Sequence, residues 1–176
     1  SGGGGLLDVD DGGGEPLGLD QSIVPMLREW FVACVSAQQG LLFENDVLSI
    51  GIKHEYRGSQ GRLNLFFRNP TAGEMTGLTV DVPTPDGNTM RMQVQAPPAT
   101  VAPGAQERMQ IMVEAMAPFS DAPQFTVAFA VGGQRYQYPL RLPAVTSCFM
   151  DPIVLNQQDF IGRWRALDGQ NREQQE

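Results

Sequence analysis

The sequence predicts an all-β sandwich, on three observations. Seven short stretches alternate apolar with polar residues, turn-forming residues separate them every eight to twelve positions, and helical periodicity is confined to the two ends. A chain of 176 residues is long enough to bury one substantial core.

The organising stretch is Leu41 to Asn69, read as two strands and a turn. Leu48, Ile50 and Ile52 form one apolar face, with Ser49, Gly51, Lys53 and Glu55 opposite. Arg57-Gly58-Ser59-Gln60-Gly61 is turn chemistry, and after it Leu63, Leu65 and Phe67 alternate with Asn64 and Phe66. A lone hairpin is marginal in water, so the rest of the chain must cover this pair. Further strands follow at Leu78–Val82, Met90–Val94, Arg108–Val113, Phe125–Val131 and Tyr136–Leu142. Gly132-Gly133 between the last two marks a compact hairpin.

Before the strands, Ile23, Met26, Leu27, Trp30, Phe31 and Cys34 recur at helical spacing, with Ser22 as N-cap and Gly40 as terminator. Gln157–Leu167 repeats the helical pattern after the strands, with Asn156 as cap. The expected organisation is a glycine-rich acidic hinge over 1–20, an amphipathic helix over 21–40, the sandwich over 41–146, and a linker with one helix over 147–176.

Net charge is −8, but residues 1–46 hold eight acids and only Arg28 as a base, so the remainder is nearly neutral. The sequence shows no basic stripe of the kind nucleic-acid binding requires, and nucleic acid is not an expected partner. Cys34 and Cys148 read as reduced thiols of a cytosolic protein, since no secretory signal or membrane-length apolar run is evident. One histidine and two scattered cysteines offer no metal-ligand spacing, and His54 has no nucleophile partner in sequence. It is expected to be exposed or in cross-strand contact. No cofactor and no enzymatic activity are expected.

LLFENDVLSIGIKHEYRGSQGRL, followed by aromatic residues and Asn69, resembles the start of the appendage, or ear, of alpha-adaptin, the large subunit of the plasma-membrane clathrin adaptor. Gly104-Ala105-Gln106, Leu142-Pro143 and Gln158-Asp159-Phe160 with Arg163-Trp164 extend the likeness over roughly residues 38–167. The resemblance implies an immunoglobulin-like sandwich with a side site for extended WxxF-type peptides. The matching positions are Lys53, Phe66 and Gln106, which would supply a charge for acidic flanks, an aromatic wall and an amide for peptide backbone. Arg68 stands where the animal pattern has glycine, and either narrows the site or adds a contact.

In the hinge, Leu6-Leu7-Asp8-Val9-Asp10 resembles a clathrin box, a pattern suited to an extended peptide with alternate apolar anchors. Phe160 and Trp164 match positions in the first helix of the ear's second subdomain, the peptide-binding platform, while Ile161 replaces a second phenylalanine. No strands follow to complete a platform, so the chain is expected to be a fragment or a shortened relative. Phe160 and Trp164 would then pack on the sandwich or stay exposed. The resemblance implies an adaptor module that recruits endocytic accessory proteins at plasma-membrane coated pits. Its partners would include the clathrin heavy chain through the hinge and the other adaptor subunits. A sandwich that is purely structural and has no peptide site is the alternative.

Overall fold

The structure, a computed structural model, describes residues 14–83, 85–151 and 154–168. Eight strands form among the described residues: β1 (Gln39–Glu44), β2 (Ser49–Arg57), β3 (Gln60–Arg68), β4 (Met75–Asp81), β5 (Met90–Val94), β6 (Gln106–Ala115), β7 (Gln124–Val131) and β8 (Gln134–Arg141). They pair antiparallel into a five-stranded sheet, β1-β2-β3-β6-β5, and a three-stranded sheet, β4-β7-β8. Helix α1 (Val24–Ala37) precedes the sandwich and helix α2 (Gln157–Asp168) follows it. Neither is long and apolar enough to cross a membrane.

The eighth strand is β1, and a bulge explains why alternation did not reveal it. The pairing with β2 slips between Leu41 and Phe43, which turns the consecutive Leu42 and Phe43 both inward. The turn to β2 is built by Asn45, whose side-chain oxygen accepts the Val47 and Leu48 N–H groups at 3.0 and 2.9 Å. Its Nδ2 donates to the Tyr138 hydroxyl at 3.0 Å, tying this turn to the opposite sheet.

The β2–β3 turn is shorter than the sequence suggested. Only Gly58 and Ser59 lie between the strands, with Gly58 at φ 57°, the glycine-first arrangement of a two-residue hairpin loop. Gly61 belongs to β3 and is needed for space. A Cβ there would lie 2.7 Å from two carbons of the Tyr56 ring, which lies across it from the neighbouring strand.

Between the sheets, Ile50, Ile52, Leu63, Leu65, Phe67, Met109 and Ile111 meet Leu78, Phe125, Val127, Phe129, Tyr138 and Leu140, all buried. Each such side chain contributes about 1.5–3 kcal/mol when fully buried, which sets this interface as the principal source of stability. Phe43 and Phe129 pack on Tyr138 with ring centroids 5.0 and 5.7 Å away.

The strand order leaves four edges, β1 and β5 in one sheet and β4 and β8 in the other, and two of them, β1 and β8, meet the N-terminal residues. Leu17 makes a parallel bridge to Tyr136, with the Leu17 N–H donating to the Arg135 carbonyl and the Gln137 N–H to the Leu17 carbonyl, each at 2.9 Å. Part of the expected hinge is thus tied to the domain. A 3₁₀ turn over Gln21–Ile23 is capped by Asp20, not Ser22: the Ser22 N–H donates to Asp20 Oδ1 at 2.8 Å. Helix α1 then packs on β1, burying Cys34. It ends at Ala37, earlier than Gly40, because Gln38 takes the left-handed position at φ 57°.

His54 secures that helix end and is not exposed. It is buried on the inner face of β2, and its Nε2–H donates to the Cys34 carbonyl at 2.9 Å, the same oxygen that accepts the Gln38 N–H at 3.0 Å. The neutral Nε2–H tautomer leaves Nδ1 to accept from the Tyr56 hydroxyl at 2.8 Å. Burial lowers the His54 pKa, against the opposing pull of the Cys34 carbonyl, and burial raises that of Tyr56. Burial also pushes the Cys34 thiol up to about 11. Both cysteines are free.

A folded-state histidine pKa below the unfolded value near 6.5 means that the unfolded chain takes up the proton first as pH falls. Stability is therefore expected to decline on acidification from about pH 6.5, by up to about 1.4 kcal/mol per pH unit within the shifted window. His54 is the only histidine, so melting curves of the wild type and His54→Gln between pH 7 and 5 isolate the effect. A wild-type dependence no steeper than the variant's would contradict it.

Candidate functional site

The outer face of the five-stranded sheet is where the sequence places its candidate residues, and the register orders them in rows. Phe66 lies between Gly51 on β2 and Arg108 on β6, and Gly51 in turn faces Leu41 on β1. In the adjacent row Gln39, Lys53, Asn64 and Gln110 align across the same four strands. On the other side of Phe66, the row is Glu44, Ser49, Arg68 and Gln106. Lys53 and Phe66 are thus diagonal rather than directly opposed, a separation of about 7–8 Å or less.

All four candidates, Lys53, Phe66, Arg68 and Gln106, stand on one face. Lys53, Arg68 and Gln106 are exposed, and Phe66 is half-buried. Next to the phenylalanine there is room: Gly51 has no side chain, and an added Cβ would meet only the Phe66 Cβ at 3.9 Å and the Gly40 carbonyl at 3.8 Å. A groove of about 520 Å³ runs beside it, with Phe66, Lys53, Asn64, Arg62, Arg108 and Gln110 among its walls. Arg62 forms an exposed ion pair with Glu55 at one end, a contact worth about 0–1 kcal/mol in water. Gln106 and Arg68 pair with each other at the far end and do not line this groove.

Gln106 opens β6 instead of sitting in the preceding loop, and buried Asn69 is what brings it there. The Asn69 side chain donates to the Gly73 and Val101 carbonyls at 2.7 and 3.0 Å and accepts from the Thr71 N–H and hydroxyl at 3.0 and 2.7 Å. Its backbone N–H donates to the Ala105 carbonyl and its carbonyl accepts the Gly104 N–H, so the Pro103-Gly104 turn is fixed against the end of β3. With every polar group satisfied, this buried amide specifies one loop position.

Arg108 and Gln110 were not singled out in the sequence, although a signal was present. Once Met109, Ile111 and Val113 are assigned inward, the alternation of β6 puts Arg108 and Gln110 outward. Their nearness to Phe66 needed the β3–β6 pairing. Lys53, Arg57, Arg62, Arg68, Arg91 and Arg108, six of the chain's twelve lysines and arginines, share this one face by register. A chain that is acidic as a whole therefore presents a basic sheet surface.

The other expected positions lie elsewhere. Leu6, Leu7, Val9 and Asp10 fall outside the described residues. Phe160 and Trp164 sit on α2, whose first turn is capped as expected: the Asp159 N–H donates to Asn156 Oδ1 at 2.8 Å. The two rings stack with centroids 6.0 Å apart and remain more than half exposed, outside the core and its partly buried shell. Among the described residues, no group of three His, Cys, Asp or Glu side chains is placed to hold a metal ion.

Two packed antiparallel sheets with a helix against one edge give this domain the architecture of adaptor-appendage domains. The yeast GGA2p GAE domain shares the fold, with a TM-score of 0.52 and 16% identity over 66% of this chain and 98% of that one. The adaptin C-terminal domain family model matches residues 38–139, and the chain belongs to that family. The AP-2 complex subunit alpha-2 of Dictyostelium discoideum is 31% identical over 96% of this chain, and the alpha-1 subunit of Arabidopsis thaliana 29% identical over 84%. The chain spans 16% and 14% of the length of those relatives.

Adjacent phenylalanines on β3 test the two-faced geometry. Phe67→Ala, which empties a fully buried position, is expected to cost about 3–5 kcal/mol. Phe66→Ala should cost roughly 1–2 kcal/mol, because the ring is only half removed from water. Urea midpoints of the two variants measure the difference, and equal losses would place Phe66 in the core.

Proposed function

We propose that this domain is a non-enzymatic adaptor appendage that recruits endocytic accessory proteins at clathrin-coated pits of the plasma membrane. It would do so by holding short WxxF-type peptides on the outer face of the five-stranded sheet. The observation that carries the reading is Phe66: a half-exposed aromatic on the outer sheet face, flanked by Gly51, which has no side chain, on one side and by Arg108 on the other. An extended peptide can lay an aromatic side chain against that ring while acidic neighbours meet Lys53 and Arg108. Gln106 and Arg68, one row away, are assigned to a second stretch of the peptide. Arg68 adds a cation where the family pattern has glycine, which favours acidic ligands over neutral ones.

In this reading residues 1–20 act as a hinge whose Leu6, Leu7, Val9 and Asp10 engage the clathrin heavy chain. The other adaptor subunits are partners of the longer protein to which the domain belongs. Phe160 and Trp164 supply an exposed apolar pair on α2, available to that longer protein or to a partner. Each contact would be weak, about −7 kcal/mol for a Kd of about 10 μM. A coat presenting many copies converts such contacts into avid recruitment.

Pull-downs from cytosol with three forms of the chain separate the parts of this proposal. Phe66→Ala should lose accessory proteins, and lower WxxF-peptide affinity by about 1–3 kcal/mol, while still recovering clathrin. The combined Leu6→Ala, Leu7→Ala and Val9→Ala substitution should do the reverse. Recovery of no accessory protein by the unaltered chain would leave a structural module and refute the peptide site.

A further inference from the structure

The groove beside Phe66 gathers more positive charge than an aromatic contact needs. Its floor is made by half-buried Asn64, Phe66 and Gln110, and exposed Lys53, Arg62 and Arg108 stand around them. Asn64 is the centre of this set by register. Lys53 on β2 and Gln110 on β6 face it directly, Arg62 is two residues away on β3, and Arg108 is its diagonal neighbour. Cross-strand and diagonal separations of about 5–8 Å let all three cations reach a ligand atom above Asn64. Among the described residues, Glu55 is the one acid on the groove wall. Its exposed ion pair with Arg62 is a weak contact that an incoming anion displaces. Gln110 Nε2 meets the Met112 sulfur at 3.2 Å, a poor acceptor that yields to a better one.

The distribution of charge decides which anion fits. The outer face as a whole carries its six cations against Glu44, Glu55 and Glu114, a net of +3. The groove accounts for +2 of that, three cations against Glu55. A flat anionic membrane is met best by charge spread over the whole face. Charge gathered over one concave spot suits a single compact dianion. A carboxylate brings one charge and two oxygens, whereas a phosphoryl group brings about −1.5 to −2 and three acceptor oxygens. The second set matches three cations and two side-chain amides.

We propose that this groove binds a phosphoryl group, carried by a serine or threonine two residues from the aromatic that rests on Phe66. Arg62 and Arg108 each offer a planar fork to the phosphoryl oxygens, and Lys53, Asn64 and Gln110 supply further donors. The spacing follows from the strand. Asn64 lies two residues from Phe66 along β3, about 6.8 Å, which is the i to i+2 repeat of an extended peptide laid along it. Recruitment is then switchable, since a kinase acting on the partner strengthens its hold and a phosphatase weakens it. This inference rests on the peptide reading of the same face and names the ligand class it takes.

The test is calorimetric titration of the full chain with WxxF peptides carrying a serine two residues outside either aromatic, each with and without phosphate. Phosphorylation should tighten at least one of them by about tenfold, the effect of one added charge-assisted hydrogen bond. Arg62→Gln should abolish that gain while leaving the unphosphorylated affinity within about twofold. Glu55→Gln should enlarge the gain, because it frees Arg62 and removes the opposing charge. Both side chains are exposed, so neither change threatens the fold. Equal binding of phosphorylated and plain peptides would overturn the proposal and leave the peptide site standing. A glutamate that reproduces the whole gain of the phosphoserine would reduce the groove to a carboxylate site and overturn it as well. Failure of every peptide to bind would refute the peptide reading itself and this inference with it. Phosphatidylcholine vesicles containing a phosphoinositide are the last arm. Binding to them that Arg62→Gln weakens, without any phosphopeptide gain, would assign the groove to a membrane surface instead.

Discussion

Strand β3 is paired along its whole length on both sides, and the two faces of the domain are set by that constraint. Nine residues match β2 and the same nine match β6 without a break. Because side chains alternate with a period of two, Phe67 goes to the core and Phe66 to the outer surface. A slip of one residue would exchange them, together with Leu63, Leu65 and every charge between. Burial of three β3 side chains against the opposing sheet makes such a slip costly. The outer face inherits its order from the inner one: the rows containing Lys53, Phe66 and Gln106 are fixed by contacts on the other side of the sheet.

How much of this could be read from the sequence depends on whether each signal was local. The β2–β3 hairpin was legible because alternation and turn residues sit within one short stretch, and the Gly132-Gly133 hairpin for the same reason, with both glycines at positive φ. Strand β1 was hidden by its bulge, since Leu41-Leu42-Phe43 does not alternate. Gly61 looked like a turn residue, but its reason is the Tyr56 ring on the neighbouring strand. Lys53, Phe66, Arg68 and Gln106 share a face by alternation, yet only the pairing shows that Gly51 opens space beside Phe66 and that Arg108 flanks it. Composition marked residues 1–20 as a hinge, and two backbone hydrogen bonds of Leu17 cannot be seen in composition.

His54 shows the same limit in another form. On sequence it is a lone polar residue on an apolar face. In the fold it satisfies a helix-end carbonyl and a tyrosine hydroxyl at once, fastening α1 to β2. That attachment matters beyond stability, because α1 covers the open side of the sandwich and forms one wall of an apolar groove there, with Leu42 of β1 and Leu140 of β8 opposite and Arg28 and Arg141 at the rim. The domain thus offers two chemically different surfaces: a basic, aromatic sheet face, and an apolar groove with a basic rim some distance away on the helix side.

The central claim is that the outer face of the five-stranded sheet binds peptide. It is tested most directly by mapping amide shifts of the labelled chain during titration with a WxxF peptide. The account predicts shifts at Gly51, Lys53, Phe66, Arg68, Gln106 and Arg108, with β4, β7 and β8 unmoved. Saturable shifts confined to the three-stranded sheet or to α2, with β2, β3 and β6 silent, would contradict it.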